Sequence, residues 1–176
     1  PAVWPATLKE IAAWWKARSE AVVQITALKD DHFQLTINSP DGATLLLRSL
    51  EVKTEAEPWF DGYQRATQTP CVIQTSKRPF IGLSPESDPA LQHFLKQQGY
   101  IVETTSDPND YSIYLDDKSF SRSQERKKSL SAKIEAASFP LVRLGRWPNG
   151  ARSAFNVTGD IDAITFWDYG QRLRGK

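Results

Sequence analysis

The sequence predicts an α+β fold: an antiparallel β meander, then a mixed α/β segment, closed by a strand-turn-helix unit. Three observations carry this prediction. Apolar and polar residues alternate with period two from residue 21 to about 55. Helical spacing of apolar residues, flanked by capping signals, occurs on either side of that stretch, at residues 8–15 and 88–99. The C-terminal part runs from an alternating strand pattern through a glycine turn into a helical pattern. A chain of 176 residues is long enough for one domain with a real core, or for one domain and a piece of another.

The elements follow in order. Thr7 and Glu10 have the spacing of a capping box, and Leu8, Ile11, Ala12 and Trp15 then give one apolar face of a helix ending near Ser19. Val23, Ile25 and Ala27 alternate with polar residues, as do Phe33, Leu35 and Ile37, with Lys29-Asp30-Asp31 as the turn between two strands. Ser39-Pro40-Asp41-Gly42 is a second turn, after which Leu45, Leu47 and Val52 continue the meander. Residues 55–70, polar and aromatic with Pro58, Gly62 and Pro70, read as a loop. Residues 71–75 and 80–83 read as short strands. Asp88-Pro89 starts and Gly99 stops a second helix that buries Leu91, Phe94 and Leu95. Residues 100–103 and 111–115 read as strands, and residues 119–137 as a largely exposed helix whose main apolar members are Phe120, Leu130 and Ile134. The last unit is a strand over 154–158, a turn over 159–162 and a helix over 163–173.

Composition narrows the function classes. A net charge of +1 gives no broad field for nucleic acid or a membrane surface, and the short run Arg126-Lys127-Lys128 reads as a solvated helix face. A single cysteine, Cys71, rules out an internal disulfide or a multi-cysteine zinc site and reads as a small core residue. No uninterrupted apolar stretch is long enough to span a bilayer. The chain opens on Pro1 with no leader pattern, as expected of a processed product or a piece of a longer polypeptide.

Two constellations point to chemistry. Arg146-Trp147-Pro148-Asn149-Gly150-Ala151-Arg152 leads into the last strand and then to Thr158-Gly159-Asp160-Ile161-Asp162. Two carboxylates at i and i+2 near the C-terminal end of a strand face one side and repel unless a cation or shared proton intervenes. A divalent metal resolves this, with one carboxylate as ligand and the other as base toward bound water. From spacing alone the commoner reading is a turn with Asp162 as the N-cap of the following helix. The second constellation is Trp59, Phe60 and Tyr63 with Asp61 and Arg65, either a stacking platform for sugar rings or rings folded back to cap the sheet. His32 and His93 lie far apart and read as ordinary surface or half-buried residues. There is no Ser-His-Asp set and no glycine-rich phosphate loop.

The stretch from Arg146 to Trp167 resembles the opening of the polysaccharide deacetylase family, whose first acidic motif supplies a general base and a metal ligand. The resemblance implies Asp160 as the base and Asp162 as the ligand of a divalent metal, zinc in the first instance. The family's commonest form has adjacent aspartates, whereas Ile161 separates them here, as in a divergent branch. Trp4-Pro5-Ala6-Thr7-Leu8 and the helix with Glu10, Trp14, Trp15 and Arg18 are similar to the segment that closes such a domain. The implied division is residues 1–20 as a closing segment, 21–118 as a β-rich accessory region and 119–176 as an opening segment, from a permuted domain or a piece of a longer one. The implied activity is hydrolysis of N- or O-acetyl groups on a glycan, with Arg152 as electrostatic support. The family completes its metal site with two histidines three residues apart, which this chain lacks, so the chain alone is expected to hold no zinc. The rest of the parent polypeptide, or a partner domain, would supply the ligands. The other expectation is a non-catalytic module that binds glycan or a partner domain through Trp59 and Tyr63.

Overall fold

Strand β1 (Val3–Pro5) leads directly into helix α1 (Leu8–Ser19) in the computed structural model, which describes residues 3–39, 41–157 and 174. The capping box forms: the Thr7 hydroxyl accepts from the Glu10 amide at 3.2 Å, and the Glu10 carboxylate accepts from the Thr7 amide at 2.7 Å. The buried face of α1 differs from the apolar spacing. Trp14 and Arg18 are its buried residues, while Leu8 is 61% exposed and Ala12 is exposed as well. The reason is polar anchoring. Trp14 Nε1 donates to the Arg146 carbonyl at 3.0 Å and Arg18 Nε to the Gly145 carbonyl at 2.9 Å. These two anchors, one turn apart, set the rotation of the helix.

Strands β2 (Val22–Ala27) and β3 (His32–Asn38) form the expected antiparallel hairpin. The meander then ends. Strand β4 (Leu45–Arg48) leaves for another sheet, and β8 (Cys71–Gln74) takes the place beside β3, with β5 (Glu51–Val52) beyond it. Leu45, Leu46 and Leu47 are all buried, so β4 is covered on both faces and does not suit a sheet with one wet face.

Strand β4 sits between β12 (Leu141–Leu144) and β7 (Gln64–Ala66), with β6 (Ala56–Pro58) at the edge. Two of these strands lie where a loop was expected. They are too short and polar to show a period, and a tight turn over Phe60–Gly62, with Asp61 at φ 57° and Gly62 at φ 76°, folds one onto the other.

The third sheet is parallel. Strand β9 (Arg78–Leu83) lies between β10 (Val102–Thr104) and β11 (Tyr111–Leu115), and α2 (Pro89–Gln98) makes the crossover from β9 to β10. The Asp88 carboxylate accepts from the Ala90 amide at 2.8 Å, and Gly99, at φ 95°, ends α2 in the left-handed conformation. Helix α3 (Gln124–Ala136) buries Leu130 and Ile134. Strand β9 separates two cores. Ile81 and Leu83 pack with Leu91, Phe94 and Leu95 of α2 and with Ile134, while Phe80 faces Leu35, Leu47, Ile73 and Val142. Cys71 is fully buried in the second core. The mixture of helices with antiparallel and parallel sheets is an α+β fold.

Strand β13 (Ser153–Phe155) pairs in parallel with β1, Val3 opposite Ser153 and Pro5 opposite Phe155. The acidic motif residues Asp160 and Asp162, and the helix expected over 163–173, lie outside the described residues. Among the described residues no helix is long and apolar enough to cross a membrane.

Candidate functional site

The pairing of β1 with β13 joins two distant stretches of chain. The Ala6 amide donates to the Phe155 carbonyl at 2.9 Å, and Asn156 Nδ2 donates to the Ala6 carbonyl at 2.8 Å. Behind the strands, four tryptophans interlock, with ring centroids 6.3 Å apart for Trp4–Trp14, 6.1 Å for Trp4–Trp147 and 5.5 Å for Trp15–Trp147. The C-terminal ends of both strands therefore open on the same side, beside the N-terminus of α1. Parallel strands ordinarily sit in sheets covered on both faces. Here Val3, Phe155 and Val157 remain exposed.

The aromatic trio divides. Trp59 is half-buried and donates from Nε1 to the Gly150 carbonyl at 2.8 Å. Phe60 is 40% exposed, lies 5.3 Å from the Trp59 ring centroid to centroid, and carries the Arg152 guanidinium 4.9 Å above its face. Tyr63 is only 3% exposed, its ring facing Arg48 and its hydroxyl donating to Glu135 at 2.8 Å. Trp59 and Phe60 thus share one surface with Asp61 and Arg152, whose side chains lie 3.4 Å apart, and Tyr63 points inward. Arg152 immediately precedes β13. It stands at the end of that strand opposite to Phe155, from which the chain continues toward Asp160.

No family model, curated protein or solved structure matches this chain. The functional reading accordingly rests on the residues themselves and on the resemblance of their motifs. Among the described residues, no three His, Cys, Asp or Glu side chains stand close enough to hold a metal ion. His32 holds its Nδ1 against the Lys29 and Asp30 carbonyls at its hairpin turn, and His93 pairs with Gln97 on α2. The described residues therefore do not make up the ligand set that the resemblance implies.

Two clusters were not assembled by the sequence reading, which named Tyr63 only as an aromatic residue of the loop and Arg18 only as a member of the first helix. The first centres on Glu135. Its Oε1 accepts from the Tyr100 hydroxyl at 2.5 Å and Arg143 Nη1 at 2.6 Å, and its Oε2 accepts from the Tyr63 hydroxyl at 2.8 Å and Arg48 Nη1 at 2.9 Å. Burial pushes the Glu135 carboxyl up. The Tyr100 hydrogen bond, the charge of Arg143, the Tyr63 hydrogen bond and the charge of Arg48 outweigh it and hold the group below its ordinary value. The same surroundings push the Tyr63 hydroxyl up to about 12, burial first and the Glu135 charge second.

The second cluster centres on Arg18. It is 4% exposed, and its Nη1 donates to the Gln97 carbonyl at the C-terminal end of α2 at 3.1 Å. Burial, and then repulsion from Arg143 and Arg146, push its guanidinium down to about 10. Arg18 forms part of the wall of a cleft of about 640 Å³ between α1, α2, β2 and β10. The available signal was its position one turn beyond Trp14, but a charged residue at a helical face position reads as solvated until its partners are known.

Proposed function

We propose that this chain is part of a metal-dependent carbohydrate deacetylase, with Asp160 as the base that activates water and Asp162 as a metal ligand. The observation that supports this reading is the parallel pairing of β1 with β13. The two stretches resembling the closing and the opening of a deacetylase domain are thereby neighbours, as one closed parallel sheet would require. In open and closed parallel sheets alike, chemistry is placed at the C-terminal ends of the strands. The acidic motif follows the C-terminal end of β13 in sequence. When bound, the metal would lower the pKa of its water and polarise the acetyl carbonyl. The test uses the parent polypeptide. Asp160→Asn and Asp162→Ala are expected each to abolish release of acetate from an acetylated glycan, and Asp162→Ala to lower metal content as well. Unchanged metal content and rate in Asp162→Ala would refute the assignment.

A second reading is favoured by the patch of exposed Phe60, Asp61 and Arg152 beside the half-buried Trp59, an aromatic edge with a charged rim. On it the chain is a glycan-binding module, indifferent to substitution of either aspartate.

A further inference from the structure

We propose that the free edge of β2 joins a second copy of this chain, strand to strand and antiparallel, about a twofold axis at Gln24. Strand β2 stands at the end of its sheet, with β3 as its one neighbour among the described strands. The ladder fixes which groups face outward. The Leu28 amide donates to the His32 carbonyl at 2.7 Å, so the even-numbered residues of β2 bond to β3. The N–H and C=O groups of Val23, Ile25 and Ala27 therefore point to the open edge, and among the described residues no other hydrogen bond reaches them.

Edge strands ordinarily carry a device that repels a second strand. Elsewhere in this fold they do. Strand β6 holds Glu57 and Pro58, β1 holds Pro5, and β10 holds Glu103. Strand β12 is bridged at Arg143 by Tyr100, β11 shifts register along its length, and β5 and β13 are only two and three residues long. Strand β2 runs for six residues with no charge, proline or bulge. On its outer face Val22 is 53% exposed, and Leu28, just beyond its end, is 47% exposed.

The edge is complementary to itself. A twofold axis between antiparallel strands stands perpendicular to the sheet, so each residue meets one of the same face. Centred on Gln24, the pairing sets Val23 of each copy opposite Ile25 of the other, and both residues have edge-facing N–H and C=O groups. Val22 then lies diagonal to Leu28 of the second copy, which covers two exposed apolar side chains. Lys29 of each copy comes beside Glu20 of the other, and both are exposed. Centring on Ile25 instead would set Glu20 against Asp30, two like charges. With a net charge of +1, two copies repel each other little.

The experiment measures the mass of the full chain of 176 residues by sedimentation equilibrium. Between about 5 μM and about 500 μM the wild type is expected to pass from monomer to dimer and no further. Gln24 is exposed and would face its own copy at the close, non-hydrogen-bonded position. Gln24→Lys and Gln24→Glu each set like charges opposite one another, and each is expected to weaken the dimer about fivefold or more, with an unchanged circular dichroism spectrum. An equimolar mixture of the two is expected to restore it. Amide exchange gives an independent reading: the Val23 and Ile25 amides should exchange fast in the monomer and become protected in the dimer. The proposal is overturned by a wild type that stays monomeric throughout, by assemblies larger than a dimer, or by charged variants that dimerise like the wild type. A mixture that stays monomeric, or Val23 and Ile25 amides unprotected in the dimer, would overturn it equally.

Discussion

Removing the Glu135 carboxylate is expected to unlock the junction between α3 and the two sheets. The side chain accepts four hydrogen bonds, from Arg48, Tyr63, Tyr100 and Arg143. The side chains of Arg48 and Arg143 are 8% and 16% exposed, so Glu135→Ala leaves two cations largely out of water with backbone carbonyls as acceptors but without their counter-charge. Breaking a buried pair from one side costs about 3–5 kcal/mol, and each orphaned buried hydroxyl adds about 1–3 kcal/mol where no water replaces the lost acceptor. Glu135 itself is 32% exposed, so water reaches the vacated space and offsets part of this loss. The expected destabilisation is about 3 kcal/mol for Glu135→Ala, and about half of that for Glu135→Gln, which keeps the shape and one acceptor. Urea unfolding at neutral pH measures both. The pH dependence gives a second check. The folded Glu135 carboxyl is held below its ordinary value of 4.5, so its stabilisation is complete above that value and is lost as the pH falls through the lower, folded value. The gap between wild type and Glu135→Gln should therefore narrow on acidification. A Glu135→Ala loss below about 1 kcal/mol would refute the reasoning, as would a gap that stays constant through the carboxylate range.

Two further outcomes are expected. Gly82→Ala places a Cβ 2.8 Å from Cγ of Tyr111 and 3.1 Å from Cδ2 of Tyr114, inside the parallel sheet. Overpacking of this kind costs about 1–3 kcal/mol, read as a lowered midpoint in thermal unfolding, and an unchanged midpoint would mean that the rings yield freely. If the exposed aromatic patch binds glycan, Phe60→Ala and Trp59→Ala should each weaken retention on an immobilised glycan. Tyr63→Phe should leave it unaffected, because the Tyr63 ring lies inside the protein. Retention unaltered by the first two would remove the patch from consideration.

Much of the candidate site was legible, but not its division of labour. Trp59, Phe60 and Tyr63 stood out as large rings in a polar stretch. Residue spacing gave no way to send Tyr63 inward and Phe60 outward, because that depends on a turn with Asp61 at positive φ and on a distant Glu135. Arg152 stood out beside the last strand, and the structure ties it to Asp61 and Phe60. Glu135 did not stand out at all, and Arg18 stood out only as a member of the α1 segment, since nothing within a turn of either announces a buried partner.

What the sequence determined by itself is the set of features that close over a few residues. These are the Thr7–Glu10 capping box, the β2–β3 hairpin, the Asp88 start and Gly99 stop of α2, and the burial of Leu91, Phe94 and Leu95. Each depends on a hydrogen bond or an apolar period contained within its own segment, so neighbouring residues suffice to specify it. Beyond that hairpin, the tertiary structure alone decided which strands become neighbours, and it decided which charges are buried. Strand β3 pairs with β8 rather than β4 because a run of three buried leucines needs cover on both faces. Trp14 and Arg18 set the rotation of α1 through carbonyls 132 and 127 residues away, and β1 meets β13 across nearly the whole described chain. Such contacts form only once the loops between them have closed, and the energy that holds them comes from burial shared between segments, which no single segment encodes.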